Sequence, residues 1–132
     1  MNLVSIRLIT ENVARLVAFY ERVTGTPATW RTEDFAEVTA GPATLAIGST
    51  RTVPLFAPGC AEGGANRSAI VEFLVEDVDA LHTALAAHGE EFVTAPTTMP
   101  WGNRSLLLRD PDGNLVNLFT PVTPAARARF GG

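Results

Sequence analysis

The sequence holds one cysteine, Cys60, and two histidines, His82 and His88, among 132 residues. A single cysteine excludes an intramolecular disulfide and any cysteine-based zinc cluster. Cys60 lies in a stretch rich in glycine, alanine and proline with no histidine nearby, the setting of an incidental thiol. Positive charge is also scarce. The net charge is −4 and the pI is near 5.1, which argues against nucleic acid or an anionic membrane as a partner. No run approaches the roughly 18 apolar residues of a membrane span. The opening MNLVSIRL lacks the charged and apolar regions of a signal peptide, so a cytoplasmic location is expected. There is no G-x-S-x-G elbow, and no glycine-rich entry to a helix that would cradle phosphate.

What the chain does have is enough apolar residues to build a core: 46% are hydrophobic and 18% charged, which suits one domain or two half-size units sharing a core. Residues 3–10 alternate, with Val4, Ile6 and Leu8 on one side and Ser5, Arg7 and Ile9 on the other, which predicts a strand. Asn12 is a good N-cap. Val13, Leu16, Val17, Tyr20 and Val23 follow at helical spacing, and Gly25 suits the stop. Phe19 and Tyr20 are assigned to packing. Short strands are expected at about 28–32, 35–40 and 43–49, with a Gly41-Pro42 turn between the last two. Residues 51–67 read as a connector.

Then the pattern restarts. Residues 69–76 alternate, Asp77 is a second N-cap, Val78, Leu81 and Leu85 mark a second helix, and Gly89 ends it. Strands are expected near 90–95, 103–109 and 114–120. The last two are joined by Asp110-Pro111-Asp112-Gly113, strong turn chemistry. A shift of 65 residues superimposes Asn12 on Asp77, Ile6 on Val71, Leu8 on Phe73 and Val13 on Val78, an internal repeat. The fold expected is α+β: two tandem βαβββ modules forming curved mixed sheets around a central cleft, with helices outside. Module one covers about 1–50, module two about 68–121, and the tail 122–132 forms a short helix or frays. A half this small buries little core alone, and a cleft between two such sheets is a place for a small molecule.

The stretches NVARLVAFYERVTG (12–25), VEDVDALHTALAAHG (75–89) and MPWGNRSLLLRDPDGNLVNLFTP (99–121) resemble the vicinal oxygen chelate superfamily of glyoxalases, extradiol dioxygenases and bleomycin-resistance-type binding proteins. The resemblance covers nearly the whole chain, and it specifies fold more closely than function. It implies, for metal-dependent members, His, Glu or Gln ligands from the first and last strands of each half, a set suited to zinc, iron, manganese or nickel. Carried onto this chain, the first-strand positions are Ser5 and Ile70. The last-strand positions are Asn117 and, within a residue or so, Ala46. None is His, Glu or Gln, so no family-type metal and no cofactor are expected. His82 and His88 lie on or near the end of the second helix; His88, near that C-terminus, suits the helix dipole, and His82 is expected at the margin of the packed face.

The resemblance also implies that strand residues in phase with Ser5 and Ile70 face the cleft. Arg7 and Glu72, 65 residues apart, then occupy matching places, either as contacts for a polar ligand or as a structural pair. Asn117 interrupts the apolar run Leu115–Phe119 on the same side. Trp101, Trp30 and Phe35 are candidates to line the pocket, since an aromatic face suits a flat ligand. The expected function is therefore a metal-independent small-molecule-binding protein of the bleomycin-resistance type, using Ser5, Arg7, Glu72, Asn117, Trp101, Trp30 and Phe35. It would sequester an antibiotic or another small ligand, and act as a homodimer. The alternative is a lyase, isomerase or dioxygenase of the same fold, with a metal in a shifted register or with Glu72 as general base. A third reading is a regulatory module that uses the same face for a partner.

Overall fold

A computed structural model describes residues 1–131. It divides into two compact units. The first comprises Met1–Asn66 together with Asp110–Gly113, and the second Arg67–Arg109 together with the chain from Asn114 on.

The first unit is built as strand, helix and three strands. These are β1 (Ser5–Thr10), α1 (Val13–Thr24), β2 (Thr29–Thr32), β3 (Phe35–Ala40) and β4 (Ala43–Ser49). Asn12 is extended, and its side chain accepts a hydrogen bond from the Arg15 N–H at 3.1 Å. That satisfies one of the otherwise unpaired donors of the first helical turn. Gly25 ends α1 in the left-handed region at φ 67° and donates to the Glu21 carbonyl at 2.9 Å, a conformation that costs glycine little. The sheet order is β1-β4-β3-β2, with β1 parallel to β4 and the other pairs antiparallel. α1 buries Leu16, Val17, Phe19, Tyr20 and Val23. Against them lie the alternate sheet residues Leu8, Leu45, Ile47, Ala36 and Val38, all buried. The opposite phase, Ser5, Arg7 and Ile9, therefore points to the far face, as the alternation predicts.

Tyr20 is fully buried and needs a partner for its hydroxyl. It donates to Asp110 Oδ2 at 2.7 Å, and Asp110 is itself 4% exposed. The other carboxylate oxygen accepts from the Asp112 N–H at 2.9 Å, while Gly113 N–H closes the turn onto the Asp110 carbonyl at 2.9 Å. Arg15 adds a hydrogen bond to the Pro111 carbonyl at 2.6 Å. These bonds explain why four residues from the far end of the chain belong to the first unit. Burial and the adjacent carboxylate push the Tyr20 hydroxyl far above its ordinary pKa.

The connector is not featureless. After β4 comes a 3-10 turn, Thr50–Thr52, and a short helix, α2 (Val53–Phe56). Ser49 caps the turn by accepting from the Arg51 N–H at 3.1 Å, and Pro54 sits in the first turn of α2, where its missing N–H is harmless. Arg51 grips Asp34 by two hydrogen bonds, 2.9 and 2.5 Å, and the Ser49 N–H donates to the Asp34 carbonyl at 2.8 Å. Together they tie the 3-10 turn that precedes α2 to the β2–β3 turn.

The second unit repeats the plan. It runs β5 (Ile70–Leu74), α3 (Val78–Ala87), β6 (Phe92–Thr98), β7 (Asn103–Arg109), β8 (Leu115–Pro121) and a final helix, α4 (Pro124–Arg129). The sheet order is β5-β8-β7-β6, again with the first and last strands of the module parallel. Asp77 caps α3 by accepting from the Ala80 N–H at 3.1 Å, the same bond at the same place as Asn12. Val78, Leu85, Leu106, Leu108, Val116 and Leu118 form the core. α4 folds back beside the β6–β7 turn. Gly102, at φ 93°, lies so close to the Thr123 hydroxyl that any side chain there would collide with it. Phe130, just past α4, meets Phe119 edge-on at 5.1 Å between ring centres. No described helix is long and apolar enough to cross a membrane.

Candidate functional site

The far face of the first sheet can be read row by row from the strand register. Arg7 lies beside Ala46, and Ala46 beside Glu37. Phe35 lies beside Gly48, and Gly48 beside Ile9. Ala46 is too small to meet Arg7, so the guanidinium turns to aromatic rings. It stands 4.4 Å from the centre of the Phe35 ring and 5.2 Å from that of Phe56, within the range of cation–π attraction. Gly48 keeps the floor low: a Cβ there would sit 3.5 Å from Ile9 Cδ1 and 3.7 Å from Arg7 Cδ. Glu37, the nearest acid in that row, is taken up by Arg31 at 2.7 Å. Among the described residues the Arg7 guanidinium has no hydrogen bond or ion pair.

Of the residues expected in a site, the structure thus joins Arg7 and Phe35 and adds Phe56, which sequence reasoning left in the connector. The cue was present, a Ser cap with Pro five residues on, but four helical residues show no periodicity. Ser5 lies one row away, beside Thr44. Trp30 does not join them. Its register partner is the buried Ala36, in the α1-facing phase, and Trp30 is 44% exposed. The register shift between Trp30 and Thr32 is the irregularity that alternation alone misses.

The far face of the second sheet carries different chemistry on the matching row. Glu72 lies directly beside Asn117 across the parallel β5–β8 pair. The Asn117 amide Nδ2 donates to Glu72 Oε2 at 2.8 Å. A carboxylate only accepts, so it fixes which end of the amide faces it. The Asn117 Oδ1 is then turned inward, buried and without a hydrogen-bond partner among the described residues. Ile70 and Leu74 share the phase of Glu72 and are about half exposed, at 49% and 52%. The pair is therefore a polar island on an apolar strip. Trp101 stands in the β6–β7 turn, outside the strands, and is 64% exposed.

This plan, two βαβββ modules with identical strand order, can be set beside known proteins. The family model described as Glyoxalase/Bleomycin resistance protein/Dioxygenase superfamily matches residues 2–118. The chain belongs to that superfamily. Among curated proteins, the uncharacterized protein YraH of Bacillus subtilis (strain 168) is 28% identical over 125 residues, covering 90% of this chain and 98% of that one. Among solved structures, a glyoxalase/bleomycin resistance protein/dioxygenase family enzyme from Burkholderia phytofirmans PsJN superposes with a TM-score of 0.77 at 19% identity, covering 89% and 97% of the two chains. TioX from Micromonospora sp. ML1 gives 0.73 at 24% identity, covering 92% and 100%. At these identities the structural likeness is one of fold.

Superfamily membership raises the question of a metal, and the residues answer it. The parallel registers put Ala46 beside Arg7 and Asn117 beside Glu72, so Ala46 is the counterpart of Asn117, as expected. The four positions are then Ser5, Ala46, Ile70 and Asn117. Two are hydrocarbon, and the only amide is already bonded to Glu72. Among the described residues no three His, Cys, Asp or Glu side chains converge. This donor set does not fit a divalent metal, which needs several anionic or imidazole ligands.

Proposed function

We propose that this chain is a metal-independent small-molecule-binding member of the superfamily, one that sequesters a ligand such as an antibiotic. The observation that carries the reading is the Asn117–Glu72 hydrogen bond with exposed Ile70 and Leu74 on either side. A polar handle on an apolar strip orients an organic ligand. The same amide, in the position that would otherwise serve a metal, supports binding over metal-dependent catalysis. The partners proposed are a small molecule and a second copy of the chain, for which Leu3, Val4 and Ile6 offer exposed apolar surface. The single cysteine and the acidic balance support a cytoplasmic location, with no nucleic acid or membrane as partner.

A thermal-shift screen of planar antibiotics, run with and without a chelator, tests this. The expected result is a hit that raises the melting temperature equally in both conditions and is lost in Glu72→Ala. A hit that vanishes with the chelator, or a screen with none, overturns the reading.

A further inference from the structure

The far face of the first sheet holds a feature that the binding reading does not use. Arg7 is a cation with no acid attached, on a chain of net charge −4. Its side chain rests on Phe35 and Phe56, against the low floor of Gly48 and beside Ile9. Cation–π attraction to the two rings holds the guanidinium in place, and its N–H groups, which no described residue engages, can serve as donors. Such a fork matches the two oxygens of a carboxylate. Fixing it beforehand lowers the entropy cost of binding. Its ring neighbour Phe56 is 67% exposed and so presents an apolar face to solvent. A strongly hydrated phosphate dianion gains nothing from such surroundings, whereas an aromatic ring does.

We propose that Arg7, with Phe35 and Phe56, is the anchor for the carboxylate of a small aromatic acid. The proposal rests on the reading of the chain as a small-molecule binder and adds an anchor on the first sheet with its own ligand class. The N–H fork takes the carboxylate, and the ring of the ligand lies on Phe56. Arg31 leaves Glu37 no free charge to repel an anion. Arg51 does the same for Asp34.

Isothermal titration with naphthoate, naphthamide and inorganic phosphate tests it on the intact chain. Naphthoate is expected to saturate one site per chain, and naphthamide to bind about tenfold weaker or worse, the factor that one charged hydrogen-bonding contact supplies. Arg7→Gln should weaken naphthoate by a similar factor. Phe56→Leu should weaken it while leaving the melting temperature unchanged, since Phe56 is an exposed side chain. It keeps the test readable even where Arg7→Gln alters folding. Affinity should also fall as salt is added. Equal binding of the amide, equal competition by phosphate, or unchanged affinity in Phe56→Leu would overturn the proposal. So would no naphthoate binding at all. The binding reading fails separately, through the chelator arm and the Glu72→Ala arm of the thermal-shift screen, so a titration that overturns this proposal leaves that reading standing.

Discussion

Arg7 and Glu72 stand 65 residues apart at matching points of β1 and β5, and the neighbouring strand answers each differently. Beside Arg7 it places Ala46, and the guanidinium goes to Phe35 and Phe56. Beside Glu72 it places Asn117, and the two bond. Everything that builds the modules is duplicated: the strand order, the cap that accepts from the third helical N–H, the apolar phase under each helix. What differs is the row on the far face. The scaffold is therefore constrained by packing and capping, while the rows that hold chemistry are free to diverge. A second contrast lies inside the helices. At matching positions α1 has Tyr20 and α3 has Leu85, both buried. The tyrosine brings a hydroxyl that must be satisfied, and Asp110 satisfies it. The leucine carries no such demand.

That contrast can be broken at several points. The largest effect is expected from Leu85→Ala, which empties a site 2% exposed and should cost about 2–5 kcal/mol in a urea titration. A loss under about 1 kcal/mol would mean that α3 is not packed as described. Tyr20→Phe keeps the ring and removes only the hydroxyl. It leaves Asp110 without that donor and should cost about 1–3 kcal/mol. Tyr20 is the only tyrosine, so tyrosinate absorbance reports it alone. Its folded pKa is raised, so the hydroxyl stays protonated in the native state. Stability is then complete below the ordinary value of 10.0 and falls as pH rises beyond it, because only the unfolded chain ionises there. Tyrosinate should appear together with the loss of helical circular dichroism. Tyrosinate forming near its ordinary pH in a folded protein would contradict the Tyr20–Asp110 bond.

The smallest effect sharpens the likeness rather than the difference. Asn12→Ala and Asp77→Ala should each cost about 1 kcal/mol and, being equivalent caps, about the same. A clear inequality in chemical denaturation would show that the two caps do not bear equal load.

Much of this was legible in the sequence, and for a physical reason. Strand alternation, helical spacing, Asn12, Asp77 and the Asp110–Gly113 turn are local signals, and local chemistry determines them. The phase that puts Ser5, Arg7 and Glu72 on the far face follows from alternation too, and the superfamily resemblance located Asn117 and Ala46. What stayed hidden needed proximity across the chain. Tyr20 and Asp110 are 90 residues apart, and each reads locally as something else, a packed aromatic and a turn acid. Glu72 and Asn117 were both candidates, yet their bond depends on the parallel β5–β8 register. Phe56 reached Arg7 through a four-residue helix too short to show a period. Trp30 was turned to the α1 side by an irregular register in β2.

The central claim is that the far faces of these sheets serve an organic ligand and not a metal. Metal analysis of the purified, undialysed protein tests it most directly. The account predicts iron, zinc, manganese and nickel far below one equivalent per chain. One equivalent of any of them, bound tightly enough to survive gel filtration, would contradict it.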